Sequence, residues 1–278
     1  MNRIGARFAR LQASGRKALV PFVTAGDPSR EATVAVLHAL VEAGADLLEL
    51  GVPFSDPMAD GPVIQRSSER ALARGVDSGS VFGFVREFRR RDGDTPIVLM
   101  GYLNPVEMRG AAAYAVAARE AGVDGLLLVD LPPEEAAATR AAFEAQGLVL
   151  VQRVAPTTSD DRLRRIAAQA DGYLYYVSFA GVTGASIDDP AAVAERVGAL
   201  RALSAVPVLV GFGIRDAGSA AAMARAGDGV VVGSALVQAL DGATDAADAA
   251  ARARAFLAPL RAALDDLNWT PRTARVAP

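Results

Sequence analysis

The sequence of 278 residues contains no cysteine, one histidine and one lysine. The absence of cysteine excludes disulfides, thiolate metal sites and cysteine nucleophiles. The histidine, His38, lies in a predicted helix, and a single histidine cannot by itself supply a zinc site, so we expect no metal centre. The lysine, Lys17, lies outside every candidate site. Any catalysis must therefore depend on carboxylates, hydroxyl groups and backbone groups.

The sequence also lacks a strong charge of one sign and a long apolar run. Its net charge of −3 argues against a nucleic-acid-binding surface. The longest uncharged run, residues 172–187, is broken by Gly, Ser and Thr, so we expect no membrane span. The first residues have no apolar core of the kind found in secretory signals. These features together predict a cytoplasmic protein.

Short apolar runs alternate with amphipathic stretches, and the hydrophobic content of 51% is sufficient for a large core. Val81, Phe84, Val85 and Phe88 recur at helical spacing, which predicts a helix between two of these runs. The eight predicted strands are residues 18–24, 47–51, 97–101, 125–129, 148–154, 173–178, 207–211 and 229–233.

A weak internal repeat indicates a cyclic architecture. Four short segments containing glycine and aspartate end a predicted helix and lead into a strand; they are residues 43–46, 121–124, 170–172 and 226–228. Eight βα units of this kind predict a single (β/α)8 TIM barrel over residues 1–278, with an extra N-terminal helix over residues 3–14. An open doubly wound sheet is the alternative, but the first βα turn has no G-x-G-x-x-G pattern. We expect the tail, residues 268–278, to be loosely ordered.

Residues 47–68 carry the first candidate site. Glu49 shares one face of a short apolar strand with Leu47 and Gly51, and a rigid loop after the strand contains Asp60. A carboxyl group at an apolar barrel mouth is desolvated, which raises its pKa and favours proton exchange near neutrality. The structural alternatives are an ion pair between Glu49 and an arginine, and a helix-capping role for Asp60 before Pro62.

The ends of the last strands carry the second candidate site, in which Gly213, Gly233 and Ser234 suggest a phosphate-binding function. Glycines let backbone N–H groups approach an anion closely, and TIM barrels commonly bind phosphate in the loops after strands 7 and 8. The alternative is that these glycines only form ordinary tight turns.

The segment ELGVPFSDPMADGPVIQ, residues 49–65, resembles the signature of the tryptophan synthase α subunit family. The resemblance extends over almost the whole chain, apart from the first ten residues and the residues after about 267. The further matching motifs are PFVTAGDP (21–28), MGYLNP (100–105), VDLPPEE (129–135), APTT (155–158), GVTGA (181–185), GFGI (211–214) and VVGSALV (231–237). The resemblance implies a lyase that cleaves indole-3-glycerol phosphate to indole and glyceraldehyde 3-phosphate.

The same resemblance implies roles for individual residues. Glu49 matches the general acid and base, Asp60 the carboxylate that binds the indole N–H, and Tyr175 a residue near the substrate hydroxyl. The sequence pattern alone would place Tyr175, and the apolar residues given below for the indole pocket, in the hydrophobic core. The other implied residues are Gly184, Gly213, Gly233 and Ser234 for the phosphate, Phe22, Ile64, Met100, Leu127 and Phe212 for the indole pocket, and Thr183 for a mobile lid that contacts Asp60.

The resemblance further implies a partner, a β subunit that uses pyridoxal phosphate to join indole to serine in an αββα heterotetramer. No cofactor is expected in this chain. The implied partner contacts are Asp56, Pro57, Asn104 and Pro105, which could equally be turn-forming residues. Two positions depart from the family pattern. Phe179 stands where some members have a lid arginine. Arg153 stands where an apolar residue is usual. If the Arg153 side chain points inward it alters the pocket, and if it points outward it pairs with a surface acid.

Three alternatives compete with the α-subunit prediction. The first is a free-standing lyase of the same fold that releases indole without a partner. The second is a sugar-phosphate isomerase on a related barrel, but such enzymes usually use a pair of acid–base groups, and the chain offers no catalytic histidine or suitably placed lysine. The third is a non-enzymatic scaffold for a β subunit, and the presence of both Glu49 and Asp60 argues against it.

Overall fold

The computed structural model describes residues 2–177, 190–211 and 213–269. Within these residues the strands are β1 (Ala18–Thr24), β2 (Leu48–Gly51), β3 (Ile97–Gly101), β4 (Gly125–Leu128), β5 (Val149–Leu150), β6 (Gln152–Val154), β7 (Leu174–Val177), β8 (Val208–Gly211) and β9 (Gly229–Val232). The helices are α1 (Arg3–Ala13), α2 (Arg30–Glu42), α3 (Pro62–Ala73), α4 (Ser78–Arg89), α5 (Leu103–Arg109), α6 (Ala111–Ala121), α7 (Ala137–Glu144), α8 (Asp160–Gln169), α9 (Pro190–Leu203), α10 (Ala217–Ala226), α11 (Ser234–Leu240) and α12 (Ala246–Asp265).

The strands form one parallel sheet in the order β5-β4-β3-β2-β1-β9-β8-β7-β6. The two edges of this sheet, β5 and β6, are consecutive in the chain and are separated only by Val151. The sheet therefore curls into a nearly closed barrel. The predicted TIM barrel with an extra N-terminal helix is confirmed, and the predicted strand over residues 148–154 is divided in two because its regular pairing is interrupted at Val151.

Alternate residues of the strands fill the barrel interior. Val98, Leu127, Val151 and Leu209 belong to one buried cluster, as expected for side chains that share the inner face of a pleated sheet. Helix α1 contributes to the same cluster through residues such as Phe8, whose ring lies 5.9 Å from the ring of Tyr173. The extra N-terminal helix thus packs on the interior side chains, and the outer faces of the strands pack on the surrounding helices.

Three of the four segments of the predicted repeat contain a buried aspartate, which precedes strand β2, β4 or β9; in the fourth segment Asp171 is exposed and accepts a hydrogen bond from the adjacent Gly172. Asp46, Asp124 and Asp228 each accept a hydrogen bond from a backbone N–H group of the neighbouring strand. Each also forms an ion pair with an arginine. The backbone donors are Leu19, Ile97 and Val208, and the arginines are Arg261, Arg89 and Arg201, respectively. The repeat therefore reflects a shared device that joins adjacent strands at the end of the barrel where the strands begin.

The first residues of the predicted loose tail are held in place. Asn268 forms an isolated bridge with Arg16, and the backbone N–H group of Trp269 donates a 2.6 Å hydrogen bond to the carbonyl of Gly15. Trp269 is buried, because its ring belongs to the barrel cluster. The expectation of a loose tail is therefore wrong for these two residues, and residues 270–278 lie outside the described part of the chain.

None of the described helices has both the length and the apolar character needed to cross a bilayer.

Candidate active site

A cavity of about 400 Å³ lies at the mouth of the barrel, where the strands end. It brings together residues that are far apart in the sequence, including all three predicted catalytic residues, Glu49, Asp60 and Tyr175. The other predicted site residues in its wall are Phe22, Ile64, Met100, Gly213, Gly233 and Ser234. The cavity has the position that TIM barrels use for their active sites.

Glu49 lies within β2 and is completely buried. The hydroxyl group of Tyr173 donates a 2.6 Å hydrogen bond to its Oε1 atom, whereas Oε2 has no hydrogen-bond partner in the described part of the chain. Burial raises the pKa of Glu49 to about 7, and the hydrogen bond from Tyr173 opposes this rise. The carboxyl group can therefore both release and accept a proton near neutrality. An arginine partner, the structural alternative, is not found among the described residues.

Asp60 lies in the loop between β2 and α3. Burial raises its pKa to about 6, while a hydrogen bond from Tyr102 and the positive charge of Arg153 act in the opposite direction. The Tyr102 hydroxyl donates to Oδ2 of Asp60 over 3.1 Å and accepts from the backbone N–H group of Ala59 over 3.0 Å. Helix α3 has Gly61 at its N-cap and no side-chain cap, so Asp60 does not have the capping role considered above.

Two glycines at strand ends make room for the aromatic side chains of the cavity. A side chain at Gly211 would collide with the ring of Tyr175, and a Cβ atom at Gly51 would lie 2.6 Å from the ring of Phe22. The ring of Tyr175 therefore lies against Gly211 of the neighbouring strand β8, and the ring of Phe22 lies against Gly51 of the neighbouring strand β2. Burial also raises the pKa of Tyr175 well above its usual range, so its hydroxyl group stays protonated and can donate.

Helix α3, which follows the Asp60 loop, is held against β1 by polar contacts. The hydroxyl groups of Thr24 and Ser67 lie 2.6 Å apart, and Ser67 donates to the carbonyl of Ile64 over 2.7 Å. Arg70 donates two hydrogen bonds, of 2.7 and 2.8 Å, to the carboxylate of Asp27. Such bidentate pairs fix orientation as well as distance. These contacts position the cavity wall that carries Asp60 and Ile64.

The opposite end of the cavity is rich in glycine and contains a cation. Gly213 has a φ of 69°, a left-handed conformation that favours glycine, and Gly233 immediately precedes Ser234, the first residue of α11. Arg215 also lines this end; its side chain is 83% exposed, and its nearest carboxylate partner is Asp216 at 4.0 Å. Backbone N–H groups, a hydroxyl group and a guanidinium group together make a suitable environment for an anion.

Arg153 points into the barrel, which resolves the alternatives left open by the sequence. It follows Val151 by two residues, so that both lie on the inner face of the wall, and it lines the cavity that contains Asp60. Its Nη2 atom donates a 2.9 Å hydrogen bond to the carbonyl of Val129. The cavity therefore contains a cation at a position where the sequence resemblance implied an apolar residue.

The remaining predicted residues lie elsewhere. Leu127 is fully buried in the barrel cluster and does not line the cavity. Phe179, Thr183, Gly184 and Phe212 lie outside the described residues.

The four predicted partner-contact residues lie at the surface, where Asp56 and Asn104 are exposed and Pro57 and Pro105 are partly exposed. Two strongly exposed methionines accompany them, Met58 after β2 and Met108 in α5, with exposures of 87% and 82%.

Sequence reasoning did not assign a role to several residues that shape the site. Tyr102 lies in the MGYLNP motif and Tyr173 in a tyrosine-rich strand, so each was visible as part of a pattern, but their carboxylate partners are 42 and 124 residues away. Arg215 directly follows the GFGI motif. Its position beside the predicted phosphate site is the sequence feature that could have indicated a role in phosphate binding. Among the described residues, no group of three acidic or histidine side chains is placed to hold a metal ion.

Comparison with known proteins gives a consistent result. Residues 8–265 match the family described as "Tryptophan synthase alpha chain". The sequence is 65% identical over 266 residues to the tryptophan synthase alpha chain of Xanthomonas oryzae pv. oryzae (strain PXO99A), covering 95% of this chain and 99% of that protein. It is 62% identical over 265 residues to that of Xylella fastidiosa (strain M12), with the same two coverages. The fold matches the crystal structure of tryptophan synthase subunit alpha from Legionella pneumophila str. Paris with a TM-score of 0.88 and 46% identity, covering 96% of this chain and 100% of that one.

Proposed function

The chain belongs to the tryptophan synthase alpha chain family, and we propose that Glu49 and Asp60 carry out the family's reaction in the cavity at the barrel mouth. The chain is a carbon–carbon lyase that cleaves indole-3-glycerol phosphate to indole and glyceraldehyde 3-phosphate in tryptophan biosynthesis. This retro-aldol cleavage requires a proton to be delivered to indole C3 and another to be removed from the C3′ hydroxyl group of the glycerol chain.

The observation that carries the assignment of Glu49 is that one oxygen of this fully buried carboxyl group has no hydrogen-bond partner among the described residues. Oε1 is held by Tyr173, and Oε2 has no partner among the described residues, so Oε2 is available to the substrate. A pKa of about 7 keeps both protonation states accessible. In its protonated form Glu49 delivers its proton to indole C3. The resulting carboxylate then removes the proton of the C3′ hydroxyl group as the C3–C3′ bond breaks, which restores the starting form.

Asp60 has a complementary role in the proposal. Protonation at C3 converts the indole ring to an indolenine whose nitrogen carries positive charge. An ionised carboxylate that accepts a hydrogen bond from the ring N–H group becomes more favourable as this charge develops, and such an interaction lowers the barrier. Tyr102 orients the Asp60 carboxylate through Oδ2 and leaves Oδ1 for the ring. Phe22, Ile64 and Met100 supply apolar walls for the indole.

The glycine-rich end of the cavity is the proposed phosphate site. Gly213, Gly233 and Ser234 can direct backbone N–H groups and a hydroxyl group at the phosphate, and Arg215 adds a positive charge. Tyr175 lies between the two ends on β7 and is proposed to donate a hydrogen bond to a substrate hydroxyl group. The substrate would then span the cavity from Asp60 to Gly233.

The proposed partner is a β subunit in an αββα assembly, to which indole passes for its pyridoxal-phosphate-dependent condensation with serine. The surface beside Asp56 and Asn104 supports this, because it exposes Met58 and Met108, and exposed apolar side chains near an active-site mouth are typical of a docking surface. We place the reaction in the cytoplasm, where a phosphorylated substrate is retained because its charge prevents passage through a bilayer.

The test is indole release from indole-3-glycerol phosphate by the wild type and by Glu49→Gln, each alone and with a β subunit. We expect slow release alone, a sharp increase with the β subunit, and loss of release in the variant. Fast release without a partner would instead indicate a free-standing lyase. No difference between the wild type and folded Glu49→Gln would overturn the role assigned to Glu49.

A further inference from the structure

The barrel wall has a seam between β4 and β6. Strand β4 pairs with β5 through Leu126 and Leu150, and the backbone N–H group of Val151 donates a 2.8 Å hydrogen bond to the Leu126 carbonyl. Beyond Val151 the chain continues as β6, whose strand partner within the described residues is β7. The backbone ladder between β4 and the next strand therefore stops before the mouth of the barrel.

Arg153 spans this seam with its side chain. It lies in β6 and its guanidinium group donates a 2.9 Å hydrogen bond to the carbonyl of Val129, the residue that follows β4. At this level of the barrel, the side-chain hydrogen bond from Arg153 to Val129 takes the place of the backbone hydrogen bonds that would join two paired strands. The contact holds the guanidinium group across the gap between the two strands.

Cavities lie on both sides of Arg153. One is the 400 Å³ active-site cavity, and the other is a side cavity of about 290 Å³. The side cavity is bounded by Pro132 and Pro133, which follow β4, and by Thr157 and Arg162 beyond β6. Arg153 lines both cavities. Its side chain is therefore part of the wall that separates them.

The guanidinium group of Arg153 has few polar partners among the described residues. Within the described residues no carboxylate forms an ion pair with Arg153, and the carbonyl of Val129 is the hydrogen-bond acceptor of its side chain. A partly buried arginine is normally paired with an acid. Arg153 lines the active-site cavity together with Asp60 and Met100, which are proposed to contact the indole ring, and its positive charge acts on both Asp60 and Tyr175.

We propose that Arg153 is a specificity-determining residue that closes the barrel wall between the active-site cavity and the side cavity, and thereby limits the size of the indole ring system that the enzyme accepts. The inference rests on the proposed function of the cavity. Shortening the side chain joins the two spaces, so that substituents on the benzo ring gain room beyond the seam. The class of substrate that becomes accessible is indole-glycerol phosphates with bulky ring substituents.

The experiment uses the reverse reaction, the condensation of glyceraldehyde 3-phosphate with indole or with indoles that carry a bromine at each benzo position in turn. The chain is assayed alone and with a β subunit that has been inactivated. For Arg153→Ala we expect kcat/KM for at least one bromoindole, relative to indole, to rise on the order of tenfold over the wild-type ratio, the scale on which a pocket discriminates small groups. Arg153→Lys keeps the length and charge and is expected to keep the wild-type ratio.

Controls separate this inference from the proposed function. Arg165→Ala changes an exposed arginine of α8 that lines neither cavity, and it should leave all ratios unchanged. If Arg153→Ala does not fold, Arg153→Val removes the same guanidinium group with a residue suited to a strand. Unchanged ratios across the bromoindole series in a folded Ala or Val variant would overturn the role of Arg153. Failure of the wild type to condense indole itself would overturn the proposed function instead.

Discussion

The Tyr173 hydroxyl group donates a 2.6 Å hydrogen bond to Oε1 of Glu49, across the interior of the barrel from the residue before β7 to β2. This bond fixes the orientation of a carboxyl group that has no other hydrogen-bond partner among the described residues. It also favours the ionised form of Glu49, whereas burial favours the neutral form more strongly and raises the pKa to about 7. The balance of the two effects gives a proton donor and acceptor suited to neutral pH.

The raised pKa of Glu49 predicts that the native state is less stable at high pH than it would be without this acid. The native state holds the proton more tightly than the unfolded chain, so the stabilisation is fully present below pH 4.5, the ordinary value, and is lost as the pH rises through about 7. Glu49→Gln should therefore raise the free energy of unfolding by about 3 kcal/mol at pH 8 and leave it nearly unchanged at pH 4. Urea unfolding at both pH values measures this, and an equal change at both would contradict it.

The two carboxyl groups predict a bell-shaped dependence of kcat/KM on pH. Asp60 must be ionised and its pKa is raised to about 6, so activity should fall as the pH drops through that value. Glu49 must be protonated to begin the reaction and its pKa is about 7, so activity should also fall above that value. A pH–rate profile of the wild type that is flat between pH 5 and 8 would contradict the assignment.

Tyr102 is predicted to set the acidic limb of this profile. Its hydrogen bond lowers the pKa of Asp60, and Tyr102→Phe removes the bond while keeping the ring that stacks on Phe54 at 5.0 Å. The acidic limb should move to higher pH, and kcat/KM at pH 6 should fall about threefold, because losing a hydrogen bond worth about 1 kcal/mol makes ionisation of the half-ionised Asp60 about fivefold less favourable. Tyr176→Phe, on the outer face of the same barrel, should leave the limb in place. An unshifted limb in Tyr102→Phe would show that Asp60 titrates independently of Tyr102.

The sequence is sufficient to predict the barrel and the position of Glu49. Apolar runs at regular intervals define the strands, and the period of two along β2 places Glu49 on the face of Leu47, which the structure shows to be the inner face. The Asp46 and Asp124 repeat was also visible, although its physical reason, a bond to a neighbouring strand, is a three-dimensional property.

The sequence does not determine the orientation of Arg153 or the partners of the carboxyl groups. From Val149 to Val151 consecutive residues are apolar, and Leu150 and Val151 are equally buried, so alternation alone cannot identify the inner face. The division at Val151 reflects a change of pairing partner from β4 to β7 in the barrel, which a local pattern does not encode. Contacts such as that between Tyr173 and Glu49 depend on the closure itself, because they cross the barrel interior.

The aspartates at the strand beginnings are predicted to contribute stability and not catalysis. Asp124 is buried and binds Arg89 at 2.8 Å and Arg3 at 2.9 Å. Asp124→Asn leaves these cations without their counter-ion, which should cost about 3 kcal/mol. Asp94→Asn, which removes an acid whose side chain is 63% exposed, should cost under about 1 kcal/mol. Urea unfolding measures both variants, and the activity of folded Asp124→Asn should equal that of the wild type because the cavity lies at the other end of the barrel.

Arg215 is predicted to bind the substrate phosphate by charge. It lines the glycine-rich end of the cavity beside Gly213 and Gly233, and its pairing with Asp216 at 4.0 Å is weak enough to yield to a phosphate. The contact is made equally in the ground state and the transition state, so Arg215→Ala should raise KM for indole-3-glycerol phosphate roughly fivefold with little change in kcat.

The expected rise in KM for Arg215→Ala is attributed to loss of a positive charge, which can be tested by varying the salt concentration and by a matched variant. Because Arg215 is exposed, added salt should raise the KM of the wild type and reduce the difference between the wild type and Arg215→Ala. Arg225→Ala, an exposed arginine on α10 that does not line the cavity, should have the wild-type KM and salt response. A reduced kcat with unchanged KM in Arg215→Ala would mean that the residue acts on the chemical step, and equal KM values in all three proteins would exclude it from the phosphate site.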